Sequence, residues 1–80
     1  MTLNEAENTV LDLRGLKCPL PALYARRALE RAAPGAAIVV LSDDPMAAVD
    51  LPHMCNTEGF SVLQSSREGQ VLRIVLQRPA

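Results

Sequence analysis

Aromatic side chains are almost missing from this 80-residue chain: Tyr24 and Phe60 are the only two, and tryptophan is absent. With a net charge of −1 as well, the chain lacks both the stacking platforms and the basic surface that nucleic-acid binding uses. A nucleic-acid partner is therefore not expected, and the core must be aliphatic. Histidine is confined to His53 and cysteine to Cys18 and Cys55. Structural zinc usually takes four such ligands, so no metal is expected. Two thiols close one bridge at most, far from a disulfide framework. No apolar run reaches the roughly 18 residues that cross a membrane. The first eight residues carry Glu5 and Glu7 and have no basic stretch ahead of an apolar one, unlike a signal peptide. A cytoplasmic location, with both thiols reduced, is the expectation.

What is present is a chain that is 49% hydrophobic, enough for one small globular domain over residues 1–80, with 1–8 and 79–80 as loose ends. Residues 9–13 read as a strand and 19–33 as a helix, stopped by Pro34-Gly35. The β-branched run Ala37–Ser42 has the composition of a strand covered on both faces. Asp43-Asp44-Pro45 breaks it. A second helix runs to Glu58 with Gly59 as its stop. Because proline belongs in a first turn, Asp50 is the expected N-cap, with residues 46–49 a looser turn. Ala48, Leu51, Pro52, Cys55 and Gly59 then share its core face. Residues 60–65 and Val71–Gln77 form a hairpin turned at 67–70. The order β-α-β-α-β-β predicts an α/β (α+β) two-layer sandwich: a mixed four-stranded sheet with two helices on one face.

On the first helix Ala22, Ala25, Leu29, Ala32 and Ala33 cluster on one side, with Ala28 at its edge. The other side holds Leu20, Leu23, Tyr24, Arg27, Glu30 and Arg31. Apolar residues on that outer side read either as a docking surface or as packing at the helix margin.

Cys18 stands where the first strand gives way to the helix. With Pro19 at the first helical position, Cys18 is the expected N-cap, at the positive end of the helix dipole. Residues 14–31 hold Arg14, Lys17, Arg26, Arg27 and Arg31 against Glu30 alone. Both effects favour thiolate, the form that attacks sulfur. Pro19 and Pro21 oppose them by removing N–H groups that could have bonded the anion. The bland alternative is an inert thiol, since free cysteine is commonly buried; the core face of the second helix suggests that role for Cys55.

A resolving cysteine two residues on would indicate dithiol exchange, but that position is Pro21. Hydrolytic catalysis wants a nearby base, and His53 reads as a surface residue. A lone activated cysteine suits covalent carriage between proteins. Two rivals stay open: an interaction module in which Cys18 only builds the helix start, and a redox sensor acting through it.

The run from Asp12 to Pro21, Asp-Leu-Arg-Gly-Leu-Lys-Cys-Pro-Leu-Pro, matches an Asp-x-x-Gly-x-x-Cys-Pro-x-Pro pattern. With Ala28-Leu29, Pro34-Gly35, Asp43-Asp44-Pro45 and Asp50-Leu51-Pro52 following in order, the chain resembles the TusA-like (SirA-like) sulfur-carrier family from end to end. The resemblance implies a two-layer α/β fold and a persulfide carried on Cys18. The sulfur would come from a cysteine desulfurase or a rhodanese and pass to an acceptor protein thiol. It implies a sulfurtransferase-type carrier more than a free-standing enzyme, needing no organic cofactor or metal. The pathway it feeds stays open. On this reading Arg14, Lys17, Pro19 and Pro21 support Cys18, and Leu20, Leu23, Tyr24 and Arg27 form a docking rim for protein partners. Asp43 and Asp44 match a family motif, or serve only as cap and turn residues. A monomer that meets neither nucleic acid nor membrane is expected.

Overall fold

The computed structural model describes residues 9–80; the expected loose end at 1–8 lies outside the described residues. The elements are β1 (Val10–Asp12), α1 (Leu20–Arg31), β2 (Ala37–Ser42), α2 (Ala47–Glu58), β3 (Ser61–Glu68) and β4 (Val71–Gln77). They build a four-stranded sheet in the order β1-β2-β4-β3. β1 runs parallel to β2, while β4 is antiparallel to both β2 and β3. The mixed sheet with two helices is the predicted architecture.

Register explains the single-sided core. Ile38, Val40 and Ser42 of β2 lie opposite Leu76, Ile74 and Leu72 of β4, and all six are buried. Leu29 and Ala25 of α1 join the same cluster, as do Ala47, Leu51, Met54 and Cys55 of α2. Both helices therefore cover one face of the sheet. Each large aliphatic side chain removed from water there contributes about 1.5–3 kcal/mol. Val39 points to the helix-free face yet is buried, because it sits in a central strand between Val10 and Val75.

Among the described residues no helix is long and apolar enough to cross a membrane. The C-terminal end is tied rather than loose: the Gly35 N–H donates to the Pro79 carbonyl (3.1 Å) and the Arg78 N–H to Ala36 (2.9 Å).

Three local readings are corrected. α1 ends at Arg31, so Ala33 lies beyond the helix and is exposed. α2 begins at Ala47, with Met46 as N-cap and Pro52 inside the helix. The N–H that Pro52 lacks would have met the carbonyl of Ala48, an exposed residue where water can take its place. Leu51, Met54 and Cys55, buried around the proline, offset its cost, about 3 kcal/mol in an ordinary helix interior. The buried face accordingly carries Ala47 and Met54, and Ala48 is turned out. Finally, β3 extends to Glu68 and the turn shrinks to Gly69-Gln70. Positive φ at Gly69 alone is the pattern of a two-residue II′ turn. The polar residues 64–68 join β3 through the backbone ladder, which leaves no hydrophobic trace in sequence.

Candidate functional site

Cys18 sits on the loop between β1 and α1. The ladder continues one residue past β1, with the Leu13 N–H donating to Leu41 (2.8 Å) and the Leu13 side chain buried. The chain then turns at Arg14-Gly15, where Gly15 takes φ +91°, a conformation that favours glycine. A second turn follows, closed by the Leu20 N–H donating to the Lys17 carbonyl (2.8 Å). Cys18 and Pro19 are its central residues, joined by a cis peptide. Cys18 is exposed.

This geometry corrects the expected cap. Pro19 is the N-cap of α1, and no side chain caps the helix. Cys18 lies one residue further out. The Leu20 N–H is taken by Lys17 and the Leu23 N–H by Pro19 (3.2 Å), while Pro21 has none. The helix start thus offers little to an anionic sulfur.

The charges on the sulfur also differ from expectation. Arg14 donates from Nε and Nη2 to the two Asp12 carboxylate oxygens, at 2.8 and 2.7 Å. That bidentate pair holds Asp12 down at about 2, chiefly through the Arg14 side-chain hydrogen bonds, and commits Arg14 away from Cys18. Lys17 is exposed and lines a cleft with Asp43, Arg67 and Gln70. Acidic groups surround Cys18 instead. Its N–H donates to Asp44 Oδ2 (2.9 Å). Its thiol is pushed above the ordinary value, first by a hydrogen bond to Asp50, then by burial, then by the Asp50 and Asp44 charges. The expected drift toward thiolate is therefore reversed: the resting form is the neutral thiol.

Asp43 and Asp44 do not cap α2, whose N-cap has no side-chain hydrogen bond. Asp43 Oδ1 accepts the Gly15 N–H (2.9 Å), and Asp44 accepts from Cys18. Parallel pairing of β1 with β2 puts the loops that follow the two strands side by side, a common place for a site in α/β sheets. That topological signal was readable in sequence. The approach of Asp50 was not, since it depends on α2 starting before Pro52.

Along α1, Leu20, Tyr24 and Arg27 form an exposed stripe at helical spacing, with Leu20 at 37% and Tyr24 at 43% exposure. Leu23 turns instead toward α2, half-buried in a shallow cleft of about 240 Å³ shared with Pro19, Ala22, Arg26 and Met54. Arg26, not singled out in the sequence, spans the helix pair with Glu30 and Glu58 each at 3.8 Å. Pro21 is buried and anchors the helix start. His53 is exposed on α2. Cys55 is 1% exposed, and burial pushes its thiol up to about 11.

The family described as Sulfurtransferase TusA matches over residues 9–78. The chain belongs to the TusA family. A Neisseria meningitidis serogroup A protein, provisionally named a sulfur carrier, is 39% identical over 67 residues, covering 84% of this chain and 90% of the relative. The Buchnera aphidicola sulfur carrier protein TusA is 29% identical over 72 residues, covering 90% and 91%. Among solved structures, a SirA-like protein of Desulfitobacterium hafniense superposes with a TM-score of 0.76 at 23% identity, covering 90% of this chain and 99% of that one. That last likeness shows the fold. In this TusA family member, the Cys-Pro-x-Pro segment runs from the exposed loop into the first turn of α1, with Cys18 exposed and the only other cysteine buried.

Proposed function

We propose that the protein is a sulfur carrier in which Cys18 holds sulfane sulfur as a persulfide. The observation that carries this reading is the exposure of Cys18 on the loop between β1 and α1 of a TusA-family chain, against the burial of Cys55. The step balances without an external oxidant. Cys18 first loses its proton to solvent. The thiolate attacks the outer sulfur of a donor protein's persulfide, an S–S bond forms on Cys18, the donor S–S bond breaks, and the donor cysteine leaves as thiolate. Delivery repeats the exchange with an acceptor protein's thiolate attacking the sulfur on Cys18.

Donors of the desulfurase or rhodanese type and an acceptor thiol protein fit this chemistry, in the reducing cytoplasm. The exposed α1 stripe of Leu20, Tyr24 and Arg27, bordered by Leu23, supplies an apolar contact with a basic edge beside the sulfur, a common interface arrangement. A redox sensor wants an exposed thiol of low pKa, whereas Asp50 and Asp44 push Cys18 the other way.

The test is incubation with a desulfurase and cysteine, followed by intact-mass measurement. A gain of one sulfur atom that a reductant removes supports the carrier. No gain with the desulfurase or with a sulfur-loaded rhodanese in its place, or only oxygen and glutathione adducts, refutes it.

A further inference from the structure

Two consecutive carboxylates of the loop after β2 reach across to the loop that carries Cys18. Asp43 Oδ1 takes the Gly15 N–H and Asp44 Oδ2 takes the Cys18 N–H, both at 2.9 Å. The two contacts fall three residues apart, one at each end of the segment between the glycine turn and the cysteine turn. Asp44 is itself fixed: it is 8% exposed, and its own N–H donates to Ser42 Oγ (3.2 Å). Ser42 is fully buried at the end of β2. A continuous set of contacts therefore runs from the rigid sheet, through Ser42 and Asp44, to the backbone of Cys18.

We propose that Asp43 and Asp44 form a two-point clamp, with Asp44 as the positioning residue that presents the Cys18 sulfur to protein partners. The clamp deepens the carrier reading and rests on it. Sulfur exchange needs two protein-bound sulfurs to meet in line, so the loop must not choose among orientations at the moment of contact. Hydrogen bonds to a carboxylate are stronger than neutral ones, and the burial of Asp44 shields its bond from competing water. Asp44 costs the thiol some acidity, and what the two carboxylates supply is geometry. Electrostatics and positioning thus act in opposite directions on one residue, which allows them to be separated.

The experiment compares Asp44→Asn with Asp44→Ala. Both remove the charge, so small-reagent alkylation of Cys18 at neutral pH should speed up in both. Only Asn keeps an acceptor for the Cys18 N–H. Protein-to-protein sulfur transfer is expected to fall about tenfold or more in Asp44→Ala, the scale that ångström misplacement of a reacting group produces. Asp44→Asn should stay near wild type. Amide hydrogen exchange at Cys18 should be slow in wild type and Asn, and fast in Ala. Equal transfer rates in the two variants, or slow Cys18 exchange in Asp44→Ala, overturn the clamp. If Asp44→Ala does not fold, Asp43→Ala against Asp43→Asn asks the same question at the Gly15 amide, with the same outcomes deciding. The exchange measurement needs no sulfur, so a wild-type protein that never loads sulfur removes the carrier reading while leaving the clamp decidable.

Discussion

Replacing Cys55 with alanine removes one sulfur atom from a site that is 1% exposed and packed among Leu51, Met54 and the β4 aliphatics. The lost transfer free energy of a methylene-sized group is about 0.8 kcal/mol. A residual void of about 20 Å³, at about 24 cal/mol per Å³, adds about 0.5 kcal/mol. The expected loss is about 1–1.5 kcal/mol at neutral pH, a fall in Tm of roughly 4–12 °C for a domain of this size. In a urea titration the midpoint should move while the slope stays constant.

The pH dependence makes the prediction sharper. Burial raises the Cys55 thiol from an ordinary 9 to about 11. A folded pKa above the unfolded one means that the native state holds the proton more tightly. The contribution is fully present below pH 9 and is lost as the pH rises through 11. One pH unit across such a window is worth about 1.4 kcal/mol, so by pH 10 the wild type gives up about 1.4 kcal/mol that Cys55→Ala keeps. The other titrating groups are shared and cancel. The two stability curves should converge near pH 10. Sulfur loading should not change, because at pH 7 only about one Cys55 in ten thousand is thiolate, the reactive form. A stability gap that widens with pH would refute the burial argument. Lost sulfur uptake in a folded Cys55→Ala protein would show that the second thiol takes part in transfer.

Cys18→Ser should abolish sulfur loading and leave the unfolding free energy within about 0.5 kcal/mol of wild type, since the side chain is exposed and surface changes are small; a serine variant that still took up labelled sulfur would sink the assignment. Asp50→Asn removes the carboxylate that does most to raise the Cys18 thiol, so the pH profile of Cys18 alkylation should move to lower pH. An unmoved or upward profile would show that Asp50 does not hold the proton. Arg27→Glu reverses the charge at the exposed end of the α1 stripe and should slow protein-to-protein transfer severalfold, with small-reagent alkylation nearly unchanged. Equal slowing of both would place its effect on the thiol rather than on docking.

Legibility followed the range of each interaction. β2 was readable to the residue because 37–41 is an unbroken apolar run, closed by Ser42, whose burial on both sides needs no partner to be named. The parallel pairing of β1 with β2 and the antiparallel hairpin followed from the order of elements, whereas the antiparallel pairing of β2 with β4 did not. The start of α2 was misread because propensity forbids Pro52 in a helix interior, whereas tertiary burial of Leu51, Met54 and Cys55 outweighs that local rule. The site shows the same division. Cys18 was visible as a motif, and its neighbourhood was not. Cations nearest in sequence, Arg14 and Lys17, suggested a positive setting. In space Arg14 closes on Asp12, two residues away, and the groups that reach Cys18 are Asp44 and Asp50, 26 and 32 positions along the chain.

That reversal of local charge bears directly on what a carrier must do. A thiol of raised pKa is mostly protonated at rest, and the protonated form resists oxidation. Once deprotonated it is the stronger nucleophile, because intrinsic nucleophilicity rises with pKa, and for the same reason it is the slower leaving group. On the carrier reading, sulfur moves onto Cys18 readily when the donor's thiolate is the better leaving group, and moves off reluctantly while Asp50 and Asp44 face the departing sulfur. Carriage between two partners asks for that asymmetry. An acceptor that brings a cation against those carboxylates on docking, or that supplies a hydrogen bond to the leaving thiolate, speeds release. An Asp50→Asn protein, with a better leaving group at Cys18, should therefore shed its sulfur to small thiols faster than wild type. Slower shedding would mean that leaving-group acidity does not control release.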